Sequence, residues 1–106
     1  MEYFTLSDLP EREPVPGFRG RFVHTDALTL AYWDIEANAA LPEHSHPHQQ
    51  VVNVLEGELE LVVAGTPYRL GPGQVYTIPG EMPHAARALT ACRVLDVFSP
   101  AREDYR

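Results

Sequence analysis

His44-Ser45-His46-Pro47-His48-Gln49-Gln50 runs straight into Val51-Val52-Asn53-Val54-Leu55, and this junction decides how the rest of the chain is read. Its first part gathers three imidazoles and a pair of carboxamides. Histidines two apart lie on one face of an extended chain, and neutral imidazole is the commonest side-chain metal ligand. Its second part is a mostly apolar run of the kind that forms a buried strand. The junction therefore reads as half of a metal site carried by a β protein, with the other half to be found elsewhere.

Working outward, ten prolines and seven glycines punctuate short apolar stretches, a pattern suited to an all-β chain and poorly matched to long helices. Strand-like runs cover Gly20–His24, Ala27–Glu36, Gln50–Leu55, Glu58–Val63, Pro67–Leu70, Gln74–Ile78, His84–Leu89 and Cys92–Phe98. Gly57 and Gly65 sit at hairpin turns where a positive φ is needed. Gly71-Pro72-Gly73 and Pro79-Gly80 mark further turns. Strands this short and closely spaced predict a small sandwich or jelly-roll barrel. Residues 1–17, rich in proline and charge, are expected to form an N-terminal arm, and residues 18–106 the barrel.

With 106 residues the chain is sized for one domain and one core. A net charge of −7 leaves no basic stripe to neutralise phosphates, so no nucleic-acid partner is expected. Cys92 is the sole cysteine, which excludes an intrachain disulfide. No apolar run is long enough to span a bilayer, so no membrane partner is expected and a cytoplasmic location is the expectation. Exposed edges and the arm suggest a homodimer formed by sheet or arm exchange.

His84 is the candidate second half of the metal site. It follows Pro79-Gly80-Glu81-Met82-Pro83, a rigid turn able to aim a side chain inward. His24 has nothing like a ligand cluster near it. In the last strand-like run, Cys92, Val94, Asp96 and Phe98 share one face while Arg93, Leu95 and Val97 share the other. Asp96 thus sits among apolar neighbours, where desolvation would raise its pKa and prepare it for proton transfer. A strand-end Asp exposed to water is the alternative.

These motifs resemble the cupins. His44-x-His46, Gln50 and Gly57 follow the spacing of the first cupin motif, with Gln in the usual Glu position and Asn38 near the opening Gly position. Gly73, Pro79 and His84 follow the second, with Glu81 in place of Gly and Ala88 in place of Asn. The resemblance implies His44, His46, Gln50 and His84 as ligands of one divalent transition metal, among Ni, Zn, Fe, Co and Mn, with His48 as the substitute ligand if the register differs. Gln in place of a carboxylate leaves the ion's charge less neutralised, which favours anionic oxygen donors and a stronger Lewis acid.

A narrower resemblance, to the KdgF-type pectin-degradation cupins, runs through Pro16–Arg21, Leu28–Trp33, Val54–Leu59 and Asp96–Tyr105. It implies ring opening (ketonisation) of 4,5-unsaturated monouronates from pectin or alginate lyases into linear 4-deoxy-5-keto uronates. It also implies a small anionic sugar as partner and functional roles for Asp96, Phe98 and Arg102. Asp96 would move protons, Arg102 would pair with the substrate carboxylate, and Phe98 would pack on the sugar ring. Arg19, Arg21, Arg87 and Tyr76 are weaker pocket candidates. A non-catalytic sugar-binding cupin and a metal-dependent cupin dioxygenase are the competing readings.

Overall fold

The computed structural model describes residues 2–106. Its strands are β1 (Arg12–Val15), β2 (Phe18–His24), β3 (Thr29–Ile35), β4 (Ala40–His44), β5 (Gln49–Glu56), β6 (Leu59–Val63), β7 (Thr66–Leu70), β8 (Val75–Ile78), β9 (His84–Ala88) and β10 (Cys92–Ser99). Short 3-10 turns at Leu6–Asp8 and Glu103–Tyr105 flank them. The strands form a six-stranded sheet, ordered β1-β2-β3-β10-β5-β8, and a four-stranded sheet, ordered β4-β9-β6-β7. Every pairing recorded is antiparallel. This is the expected all-β jelly roll.

Strict alternation builds the core. Thr29, Ala31, Trp33 and Ile35 on β3 are buried, as are Gln50, Val52 and Val54 on β5, Leu59, Leu61 and Val63 on β6, and Cys92, Val94, Asp96 and Phe98 on β10. β10 lies between β3 and β5, so Val94 meets Trp33 and Val54, Asp96 meets Ala31 and Val52, and Phe98 meets Thr29 and Gln50. Each fully buried aliphatic side chain contributes roughly 1.5–3 kcal/mol, and Val52, Val54 and Ile78 are sealed from solvent. The outward positions Arg93 and Asp34 pair in register and form an ion pair at 3.2 Å.

Two strands depart from the sequence pattern. β1 and β4 each contain a proline (Pro14, Pro42) and are largely exposed, so neither shows apolar alternation. Both lie at sheet edges, as does β7 with Pro67, where a residue without an N–H costs no ladder bond. Part of the N-terminal segment is thus built into the large sheet. β3 also starts later than Ala27, because Thr25 Oγ1 accepts from the backbone N–H of Ala27 and Leu28 and closes a turn there.

Candidate metal centre and acid pocket

Among the described residues, the buried polar and charged side chains are Thr29, Gln50, His84 and Asp96. Buried polar groups are rare and need partners. These four converge on one end of the barrel: Gln50, His84 and Asp96 line a single pocket between the sheets, and Thr29 supports its edge.

The small sheet supplies two histidines as a cross-strand pair: His44 ends β4, His84 opens β9, and the two are register partners. Their ring centroids are 4.3 Å apart. His46, from the connection between β4 and β5, stands 4.9 Å from His84. One nitrogen from each of the three falls within 4.8 Å of the others. Each Nδ1 faces a backbone carbonyl two residues away: Pro42 for His44 at 2.9 Å, His48 for His46 at 3.0 Å and Met82 for His84 at 2.8 Å. These bonds fix the proton on Nδ1 and leave the Nε2 lone pairs free, as metal-ligating histidines require.

One orphaned nitrogen and one opposed contact mark the centre of the cluster. His84 Nε2 is buried with no hydrogen-bond partner. His46 Nε2 faces Gln50 Oε1 at 3.1 Å, and with the proton on Nδ1 that contact sets two lone pairs against each other. A cation relieves both. Burial lowers the His46 pKa, assisted by the charges of Arg102 and His84 and opposed by its bonds to Gln50 and His48. Burial likewise lowers that of His84, with Met82 opposing and His44 and Arg102 assisting. Neutral imidazoles and one amide oxygen are a donor set that fits a divalent transition metal, and His44, His46, His84 and Gln50 would hold it. His48 stands outside the three-histidine cluster, 5.4 Å from His46 ring to ring.

The large sheet supplies the acid. Asp96 accepts a hydrogen bond from Trp33 Nε1 at 3.1 Å through Oδ2, while Oδ1 has no partner. Burial raises its pKa to about 7, against the opposing influence of Gln50, Trp33 and Arg102. The expected desolvated carboxyl is therefore present. Phe98, two residues along the same face, packs its ring edge-on to His46 at 5.7 Å. Arg102 follows β10 and also lines the pocket, its guanidinium 4.7 Å from the Phe98 ring and 4.4 Å from the Tyr105 ring.

The structure thus brings His44, His46, Gln50, His84, Asp96, Phe98 and Arg102 around one pocket. Arg19, Arg21, Arg87 and Tyr76 do not line it: Arg19 pairs with Glu36 at 2.7 Å, Arg21 with Glu11 at 3.3 Å, Arg87 lies 3.9 Å from Glu60, and the Tyr76 ring packs at a tilt 4.8 Å from that of Tyr68. Sequence reasoning missed Trp33 and Tyr105 as pocket residues, and Pro14 and Val15 from β1 at its wall. An aromatic on a strand reads as core, and only the register Trp33↔Val94 places the indole beside Asp96. Gly20 makes room for that indole, since a Cβ there would come within 2.7 Å of the Trp33 ring.

Two motif departures fall where the backbone takes the left-handed conformation that favours Gly. Asn38 and Glu81 stand where the cupin motifs carry Gly, and both adopt positive φ, 69° and 67°. Asn tolerates this region well, and Glu does not.

Comparison with known proteins extends the picture. KdgF from Halomonas sp. superposes with a TM-score of 0.93 at 28% identity, covering 100% of this chain and 99% of that one. An RmlC-like cupin from Shewanella frigidimarina gives 0.92 at 28%, covering 100% and 97%. Dimethylsulfoniopropionate lyase DddQ of Ruegeria pomeroyi is 36% identical over 64 residues, 59% of this chain and 32% of that enzyme. The chain spans about a third of the length of the curated relatives it matches. Residues 31–98 match the Cupin domain, a span that takes in both the histidine and the carboxyl side of the pocket, and the chain belongs to the cupin family.

Proposed function

We propose that this protein is a metal-dependent enzyme that opens the ring of 4,5-unsaturated monouronates, giving linear 4-deoxy-5-keto uronates. The observation that carries the reading is Asp96: a buried carboxyl whose pKa burial raises to about 7, with one unbonded oxygen, in the same pocket as the three clustered histidines. Likeness to KdgF over the whole chain supports it.

The substrate is a cyclic hemiacetal with a C4=C5 double bond and a carboxylate on C5. Asp96, as carboxylate, accepts the proton of the C1 hydroxyl. The C1–O5 bond breaks, C1 becomes an aldehyde and the electron pair passes to the enolate at C5. Asp96, now protonated, returns its proton to C4, so the reaction is an isomerisation with no atom gained or lost. A carboxyl titrating near neutrality suits both transfers. Trp33 orients it through the Nε1 bond. His44, His46, His84 and Gln50 would hold a divalent metal, which would supply positive charge to the pocket where the enolate forms. Arg102 holds the substrate carboxylate, and Phe98 provides an apolar face for the ring.

A time course on lyase-generated unsaturated monouronate, followed by loss of the ultraviolet absorbance of the double bond, tests the reading. Acceleration that disappears with chelator and returns with added metal is expected. Equal rates with and without protein would overturn it, and a rate that depends on dissolved oxygen would favour the dioxygenase instead.

A further inference from the structure

Arg102 is held from several sides, and one of its partners has no part in the chemistry above. Its Nε and Nη2 donate to the two oxygens of Asp104 at 2.9 and 2.7 Å, a bidentate pair that uses one edge of the guanidinium. Its plane rests in the wedge between Phe98 and Tyr105. Its side chain is only 11% exposed, against 57% for Asp104. Among the described residues Nη1 has no protein partner, and Arg102 lines the pocket.

The turn that carries the pair is anchored by a directed chain of hydrogen bonds. The Arg102 N–H donates to Thr29 Oγ1 at 2.8 Å. The Thr29 hydroxyl then has its own proton to give, and His24 Nδ1 is 2.8 Å away. That leaves the His24 proton on Nε2, which faces the Tyr105 carbonyl at 3.2 Å. The Arg12 guanidinium donates to the same carbonyl.

We propose that Asp104 is a positioning residue that presets Arg102 as a receptor for one carboxylate and so makes the pocket select uronic over neutral sugars. The inference rests on the reading of this pocket as a uronate site. An Arg side chain loses much rotamer freedom on ordering, and a guanidinium already fixed loses less when it pairs. The free Nη1/Nη2 edge is the fork that matches a carboxylate. Asp104 also carries a charge that opposes an incoming anion, but its exposure screens that charge. The orientational effect is therefore the larger.

Binding of D-glucuronate and D-glucose to the metal-loaded protein tests this, read by the fluorescence of Trp33, the chain's one tryptophan and a pocket residue. Asp104→Asn should weaken glucuronate about tenfold, equivalent to about 1.4 kcal/mol, and leave glucose unchanged. It should raise KM for an unsaturated monouronate by a similar factor with kcat within about twofold. Asp104→Glu should restore part of the loss, and in an Arg102→Ala background Asp104→Asn should change nothing further. Unchanged or tighter glucuronate binding in Asp104→Asn overturns the inference, as does an equal loss without Arg102 or a wild type that does not prefer glucuronate. A wild type that shows the Asp104-dependent preference but converts no unsaturated uronate overturns the ring-opening reading alone.

Discussion

The histidine side and the carboxyl side of the pocket are built by opposite means. On the histidine side each ring is oriented by a carbonyl two residues away, so the local chain sets the tautomers. On the carboxyl side the bonds are long-range. Asp96 is oriented by Trp33, 63 residues distant, and the Arg102 backbone by Thr29, 73 distant. His24 and Arg12 reach Tyr105 across 81 and 93 residues. A site assembled this way has a metal half whose ring orientations are set locally, although β4–β9 pairing brings His44 to His84 and β5 supplies Gln50, and an acid half whose orienting bonds span the barrel. Substitutions should therefore separate the two.

The largest effect belongs to the metal half. His84→Ala removes the histidine shared between the His44 and His46 contacts, and it should abolish stoichiometric metal binding. With the metal gone, turnover should fall by at least about a thousandfold, in keeping with the several kcal/mol a Lewis acid supplies. Metal analysis beside a rate measurement checks this. A variant that keeps both metal and rate would remove His84 from the site.

Asp96→Asn attacks the other half and should leave metal content unchanged while lowering kcat by about 10²–10⁴-fold. It also has a stability signature. Folding raises the carboxyl's pKa from its ordinary value to about 7, so the folded state binds the proton more tightly than the unfolded one. The cost of burying the charge is absent below the unfolded pKa, grows as pH rises through this window, and is complete above the folded value. In chelated protein Asp96→Asn should therefore be more stable than wild type at pH 8, by on the order of 4 kcal/mol, and the gain should vanish near pH 4. Denaturation curves across that range check the sign; a gain independent of pH would mean that Asp96 does not carry the shift.

Trp33→Phe tests the long-range support alone. Its Nε1 bond favours the charged carboxylate, so its loss should raise the Asp96 pKa further and move the rising limb of the pH–rate profile to higher pH. A further rise of about one pKa unit should lower the rate about fivefold at pH 7 and about tenfold well below it, with metal binding retained. An unshifted limb would show that the limb belongs to another group.

The same division explains what could be read from the sequence. The His44–Gln50 run, His84 after its turn, and the alternation that buries Asp96 are local patterns, and each survives intact in the fold. The edge strands β1 and β4 were not legible, because proline and exposure remove the alternation that marks a strand. Trp33, Thr29 and His24 were not legible as support because their partners are brought to them only by register and by the returning C-terminal turn. His24, which in sequence has no cluster around it, is tied to that turn through Tyr105.

The smallest effect returns to the histidine side, where local backbone rather than distant packing orients the ligands. Glu81 holds φ at 67° in the turn before His84, and its N–H donates to the His46 carbonyl at 2.7 Å. An L-residue in the left-handed region costs roughly 1–2 kcal/mol, whereas Gly adopts it freely but loses about 0.5–1 kcal/mol more in conformational entropy. Glu81→Gly should therefore stabilise the protein slightly, by about 0.5–1 kcal/mol at most, while leaving the turn, the metal and the rate unchanged. Asn38→Gly, at the other positive-φ position, should gain less, because Asn tolerates this region better than Glu. Chemical denaturation of the two variants side by side gives the ordering. A Glu81→Gly protein that loses metal would show that the Glu81 side chain, and not the backbone geometry of the turn, holds His84 in place.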